Sequence, residues 1–110
     1  MKPVEWRPQA RRDADDAAFW YAQQDRLALG ERFILQVAAT LEHLSHFPAT
    51  GSTRHDGIVP GLHAPLRFFP VMQFERYLVY YLDLPTHVDV IRIWCADRGL
   101  DALMEDDECH

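Results

Sequence analysis

Tyr77-Leu78-Val79-Tyr80-Tyr81-Leu82 and Val88-Asp89-Val90-Ile91-Arg92-Ile93-Trp94 decide the fold of this chain. Both runs are rich in β-branched and aromatic residues, the composition of strands that fit a pleated sheet. Asp83-Leu84-Pro85-Thr86-His87 separates them, a connection short enough for an antiparallel pair. Upstream, Leu66-Arg67-Phe68-Phe69 reads as a further strand, preceded by a loop over 48–61 that holds Pro48, Gly51, Gly57, Pro60 and Gly61. Before the loop the period changes from two to 3.6. Phe33, Val37, Leu41 and Leu44, widened by Ile34, form the apolar stripe of a helix that Pro48 and Gly51 end. Gly30 weakens the first turns of that helix a little.

Further upstream, Ala10, Ala14, Ala17, Ala18 and Tyr21 recur on one face of another helix, which Pro8 suits at its first turn. Gln23-Gln24-Asp25 reads as the break, with Asp25 placed to cap the second helix. The short connection makes the two helices an antiparallel hairpin. Val4-Glu5-Trp6-Arg7 alternates as a short first strand, and Leu100 with Leu103 suggests a last helical turn. The order β-α-α-β-β-β with a short C-terminal helix predicts an α+β fold, a helical hairpin packed on a mainly antiparallel sheet.

The chain has 110 residues, 48% apolar and 25% charged, the balance of one ordinary globular domain spanning 1–110. No apolar run is long enough for a transmembrane helix, and the N-terminus lacks the apolar core of a signal peptide. The formal charge is −6, but it is unevenly placed. Eleven basic and twelve acidic residues nearly cancel over 1–98, while residues 99–110 carry five acids. The near-neutral body argues against direct sequence-specific nucleic-acid binding by this chain alone, and the acidic end at 105–110 reads as a solvated, mobile tail. Cys95 and Cys109 are too few for a disulfide framework and fit no zinc spacing, so the expectation is a reduced, cytoplasmic domain.

No pattern of catalytic chemistry emerges. There is no Gly-rich phosphate loop, no GxSxG, and no Cys/His pair held in place for nucleophilic attack. His43 and His46 share a helix face at i, i+3 but lack further ligands, so no metal and no cofactor are expected. Asp13, Asp15 and Asp16 read as acids that complement the N-terminal half of a helix. Strict alternation places Val88, Val90, Arg92 and Trp94 on one face of the last strand and Asp89, Ile91, Ile93 and Cys95 on the other. With helices over one face of the sheet, Arg67, Arg92 and Arg98 together with Tyr77 would line the other. Arg and Tyr suit a partner or RNA platform. They suit equally a row of half-buried tyrosines with arginines reaching to water.

The chain resembles the ParE/RelE toxin superfamily, and within it the ParE branch. The resemblance runs through Trp6-Arg7-Pro8-Gln9-Ala10-Arg11-Arg12-Asp13, Glu31-Arg32-Phe33 and Leu44-Ser45-His46-Phe47-Pro48-Ala49-Thr50-Gly51. It continues through Pro60-Gly61-Leu62, Leu66-Arg67-Phe68-Phe69-Pro70-Val71, Phe74-Glu75-Arg76-Tyr77-Leu78-Val79-Tyr80-Tyr81, Val90-Ile91-Arg92-Ile93-Trp94 and Asp101-Ala102-Leu103. It implies a type II toxin neutralised by a small helical antitoxin that binds DNA through its other end. The ParE branch inhibits DNA gyrase by non-catalytic binding, whereas RelE-like relatives cleave mRNA on the ribosome. Tyr77, Ala96 and Ala102 stand where those nucleases carry an arginine, a catalytic arginine and a tyrosine. The expectation is therefore a non-enzymatic gyrase inhibitor. The alternatives are an mRNA interferase using Arg67, Arg92 and Arg98, or an inactive homologue that only binds its antitoxin. Arg67, Phe68, Tyr77, Tyr81, Arg92, Trp94 and Arg98 are the expected partner-binding residues. Cys95-Ala96-Asp97-Arg98-Gly99 departs from relatives that show a histidine, two small residues and Arg-Asp there.

Overall fold

A computed structural model of the chain describes residues 1–24 and 27–96. Strand β1 (Val4–Trp6) leads into helix α1 (Pro8–Gln24), and α2 (Leu27–His46) follows. A single 3-10 turn at Pro48–Thr50 and a long irregular segment precede β2 (Arg67–Val71), β3 (Phe74–Asp83) and β4 (Val88–Cys95). The sheet order is β1-β4-β3-β2, with β1 parallel to β4 and the other pairs antiparallel. The α+β architecture is thus as the sequence pattern requires. The Asp25 cap, Arg98, the last helical turn and the acidic tail lie outside the described residues.

The hairpin packs tightly because its contact faces are small. Helix α1 buries Ala10, Ala14, Ala17 and Tyr21, and α2 answers with Gly30, Phe33, Val37, Thr40, Leu41 and Leu44. A Cβ on Gly30 would stand 2.5 Å from the Ala18 carbonyl oxygen of α1. Gly30→Ala is therefore expected to destabilise by about 1–3 kcal/mol through overpacking, although alanine is the better helix former. Urea unfolding checks this; a stabilised variant would show that the helices separate freely there. Phe33, fully buried, meets Tyr21, Phe74 and Tyr77 at centroid distances of 5.5, 5.2 and 5.1 Å.

Two features depart from the sequence expectation. First, β2 and β3 are longer than expected and joined by Met72-Gln73, with Gln73 in the left-handed region (φ 67°). The Met72 amide donates to Thr40 Oγ1 (3.0 Å), and the Thr40 hydroxyl donates to the Gln36 carbonyl (2.7 Å), tying the turn to α2. Second, alternation along β4 breaks. Tyr80 pairs with Arg92 and Tyr81 with Val90, so Ile91 is an extra residue, a β-bulge. Beyond it Ile93 and Cys95 rejoin Val88 and Val90 on the helix side, while Trp94 joins Ile91 on the opposite face.

The face away from the helices is covered. Leu66, Leu78, Tyr80, Leu82, Ile91 and Trp94 form a second apolar cluster against Ile58, Val59, Leu62 and Ala64 from the segment 52–66. Gly57 and Gly61, both at positive φ (95° and 78°), let this strap turn back across the sheet. Ser52 pairs with Phe68, and Asp56 Oδ1 accepts the Leu66 amide (2.9 Å). His55 stacks on Phe68 at 4.3 Å and shares a 2.9 Å hydrogen bond with the Tyr80 hydroxyl.

Burial pushes Tyr80 up to about 12, so the phenol keeps its proton while sharing the hydrogen bond with His55 Nδ1. His55 is lowered from 6.5 by burial and then by the neighbouring Arg54 charge. A base whose folded pKa is depressed favours the folded state above its unfolded value and loses that contribution as pH falls through the folded one. Between neutral pH and about pH 5 the wild type should therefore lose more stability than His55→Asn. Equal losses in urea titrations at the two pH values would remove this role from His55.

Candidate functional site

A groove lined by both helices lies beside the end of β1. Trp6 from the end of β1, Arg11, Ala14 and Asp15 from α1, and Ile34, Val37 and Ala38 from α2 surround a depression of about 140 Å³. Trp6, Ala14, Ile34, Val37 and Ala38 make most of this lining apolar. The Arg11 guanidinium sits over the Trp6 ring at 4.9 Å, fixing the ring and placing a positive charge at the rim. Asp15, one turn further along α1, sets a negative charge beside it. Ile34 is 40% exposed. It widens the apolar stripe of α2 beyond what the core uses, and that widening was the sequence signal for the groove. An apolar channel between two helices with opposite charges at its lip suits an amphipathic helical segment.

Of the residues expected at a partner surface, Tyr77, Tyr81, Arg92 and Trp94 are buried within this chain. Tyr77 and Tyr81 share a face with Val79 as alternation predicts, but it is the face beneath the helices. Tyr77 is 3% exposed and packs on Tyr21 and Phe33. Tyr81 is fully buried; its hydroxyl donates to the Pro48 carbonyl (2.6 Å) and accepts the Gly51 amide (2.9 Å). Trp94, placed on the other face by the bulge, is 2% exposed under the strap.

Arg92 is also buried. Its Nε–H donates to Asp13 Oδ2 (2.7 Å) and an Nη2–H donates to Oδ1 (3.0 Å), and the guanidinium lies 4.8 Å from the Trp94 ring. The Ile93 amide donates to the same carboxylate at 3.1 Å. Strand β1 ends at Trp6, opposite Val90, so past that point the edge of β4 has no neighbouring strand. Helix α1 runs beside this edge, and Asp13 takes the place of the missing acceptor. Asp13 thus serves the strand edge, where the sequence alone suggested only a helix-dipole partner.

Arg67 and Phe68 are half-buried. The Arg67 guanidinium donates to the carbonyls of Ala49 (3.2 Å) and Gly51 (2.9 Å), while Phe68 lies beneath His55. Arg98 is outside the described residues. His43 packs its ring on Phe47 and Phe69 (5.4 and 5.2 Å), so it is directed along the helix end and sheet rather than into a ligand set with His46. Among the described residues no group of three metal-ligating side chains converges, and no helix is long and apolar enough to cross a membrane.

Comparison with known proteins follows the same architecture. A solved structure titled "Chromosomal ParDE TA system from P. aeruginosa" superposes with a TM-score of 0.69, covering 86% of this chain and 96% of that one at 16% identity. At that identity the likeness speaks for the fold. No curated protein matches significantly in sequence. Residues 4–99 match the family described as "ParE toxin of type II toxin-antitoxin system, parDE". With nearly its whole length matched, the chain belongs to the ParE toxin family of type II toxin–antitoxin systems.

Proposed function

We propose that this toxin acts in the cytoplasm by binding DNA gyrase without chemistry of its own, and that a cognate antitoxin neutralises it. The observation that carries this reading is the family match over residues 4–99. The antitoxin is assigned the groove between α1 and α2, where a helical segment would set apolar side chains against Trp6, Ile34 and Ala38 between Arg11 and Asp15. Of the residues first expected at a partner surface, Arg67 and Phe68 keep accessible area and are the ones a partner reaches beside the strap.

The rival reading as an mRNA interferase needs Arg67 and Arg92 free to stabilise phosphorane charge. Arg92 instead gives two hydrogen bonds to Asp13 and Arg67 gives two to backbone carbonyls, while Arg98 lies outside the described residues.

Tightly controlled expression without antitoxin tests the proposal. Growth arrest with induction of a DNA-damage reporter is expected; arrest without it, accompanied by loss of ribosome-bound transcripts, would turn the reading toward RNA cleavage. Ile34→Glu, at an exposed position, should leave toxicity intact and weaken rescue by co-expressed antitoxin. The expected loss of antitoxin affinity is on the order of tenfold or more, and undiminished rescue would move the antitoxin off the groove.

A further inference from the structure

The outward face of α2 carries a pattern that neither the core nor the groove uses. Ala28, Arg32, Leu35, Ala39, Glu42 and His46 follow one another at alternating spacings of four and three residues, the repeat of a coiled-coil seam. All six are exposed, and they lie opposite the Phe33, Val37, Leu41 and Leu44 stripe that enters the core. Leu35, at the middle of the seam, is 67% exposed. Neither the Arg32 guanidinium nor the Glu42 carboxylate has an ion-pair partner among the described residues.

The seam is complementary to itself in one orientation only. Laid antiparallel about a two-fold axis level with Val37, Arg32 opposes Glu42 of the second copy and Leu35 opposes Ala39 of the second copy. Ala28 likewise opposes His46 of the second copy. Each pairing occurs twice by symmetry, as an isologous contact requires. The alanines let the backbones approach while each leucine fills the space above an alanine. A parallel arrangement would set Arg32 against Arg32 and Glu42 against Glu42, which like-charge repulsion disfavours.

From this match of charge and size we infer that α2 is a self-association surface, through which two copies of the toxin pair antiparallel. The seam is on the far side of α2 from the core, and the groove lies on its flank toward α1, so the pairing stands or falls independently of the antitoxin assignment. A contact made by one helix from each copy is small beside the roughly 1,600 Å² of a standard interface. The dimer is therefore reversible, and salt weakens it.

Sedimentation velocity of the purified full chain over a concentration series is the test, with Arg32→Glu, Glu42→Arg and the double exchange run alongside. The wild type should shift from monomer toward dimer with concentration. Each single reversal replaces two opposite-charge contacts with two like-charge ones and should weaken association on the order of tenfold. The double exchange restores the pairs and should recover the wild-type constant. Leu35→Ala, a truncation at an exposed site that leaves the fold untouched, should weaken it too. A wild type that sediments as monomer throughout, a dimer indifferent to the single reversals, or a double exchange no better than the singles would each overturn the inference.

Discussion

Asp13→Ala is expected to remove about 3–5 kcal/mol of stability, a large share of what a domain of this size possesses. The variant removes both hydrogen bonds that Arg92, its side chain 9% exposed, makes to this carboxylate. It also leaves the Ile93 amide at the open edge of β4 without its acceptor. Removing one partner of a buried pair costs more than the pair itself contributes, since the remaining charge stays out of water. Asp13→Asn keeps an acceptor for the amide and should cost less, about 1–3 kcal/mol. Urea unfolding of the two variants at neutral pH checks the order. Losses below about 1 kcal/mol in both would mean that water screens the pair as it screens surface ions.

Tyr81→Ala is the second large effect, with about 3–5 kcal/mol expected from the lost aromatic packing in a fully buried site. Tyr81→Phe separates the polar part. It keeps the ring but orphans the Gly51 amide and the Pro48 carbonyl at the end of α2, for about 1–3 kcal/mol. Any loss of antitoxin binding by Tyr77→Ala or Tyr81→Ala should therefore track the unfolded fraction. Phe68→Ala, at a half-buried position, is the variant whose binding can be read in folded protein. A Tyr81→Ala protein that unfolds like wild type yet fails to bind antitoxin would put Tyr81 back at a partner surface.

The helices and strands were legible because each obeys one period: Phe33, Val37, Leu41 and Leu44 at helical spacing, Tyr77, Val79 and Tyr81 at strand spacing. The faces were not. In 88–95 apolar residues occupy both sides of the strand, so nothing in the pattern marks Ile91 as the extra residue that moves Trp94 across the sheet. The Met72-Gln73 turn has no Gly or Asn to announce it. The cover over the second face left a trace in Ile58, Val59 and Leu62, which are too apolar for a loop in water.

Arg92, Tyr77 and Trp94 were read as a surface for a physical reason. An amphipathic side chain that satisfies its polar end inside a fold has the same identity as one that satisfies it in an interface. Asp13 decides between these outcomes for Arg92, yet 79 residues separate the two in sequence. The groove was visible only as one isoleucine more than the core of α2 needs.

The proposed action of this ParE-family toxin is on gyrase, by binding alone. Its most direct test is a supercoiling assay with purified gyrase, relaxed plasmid and a titration of the purified chain. Supercoiling should stop as the chain saturates gyrase, and adding cognate antitoxin should restore it. Gyrase that works at full rate under saturating, folded toxin would contradict the proposal.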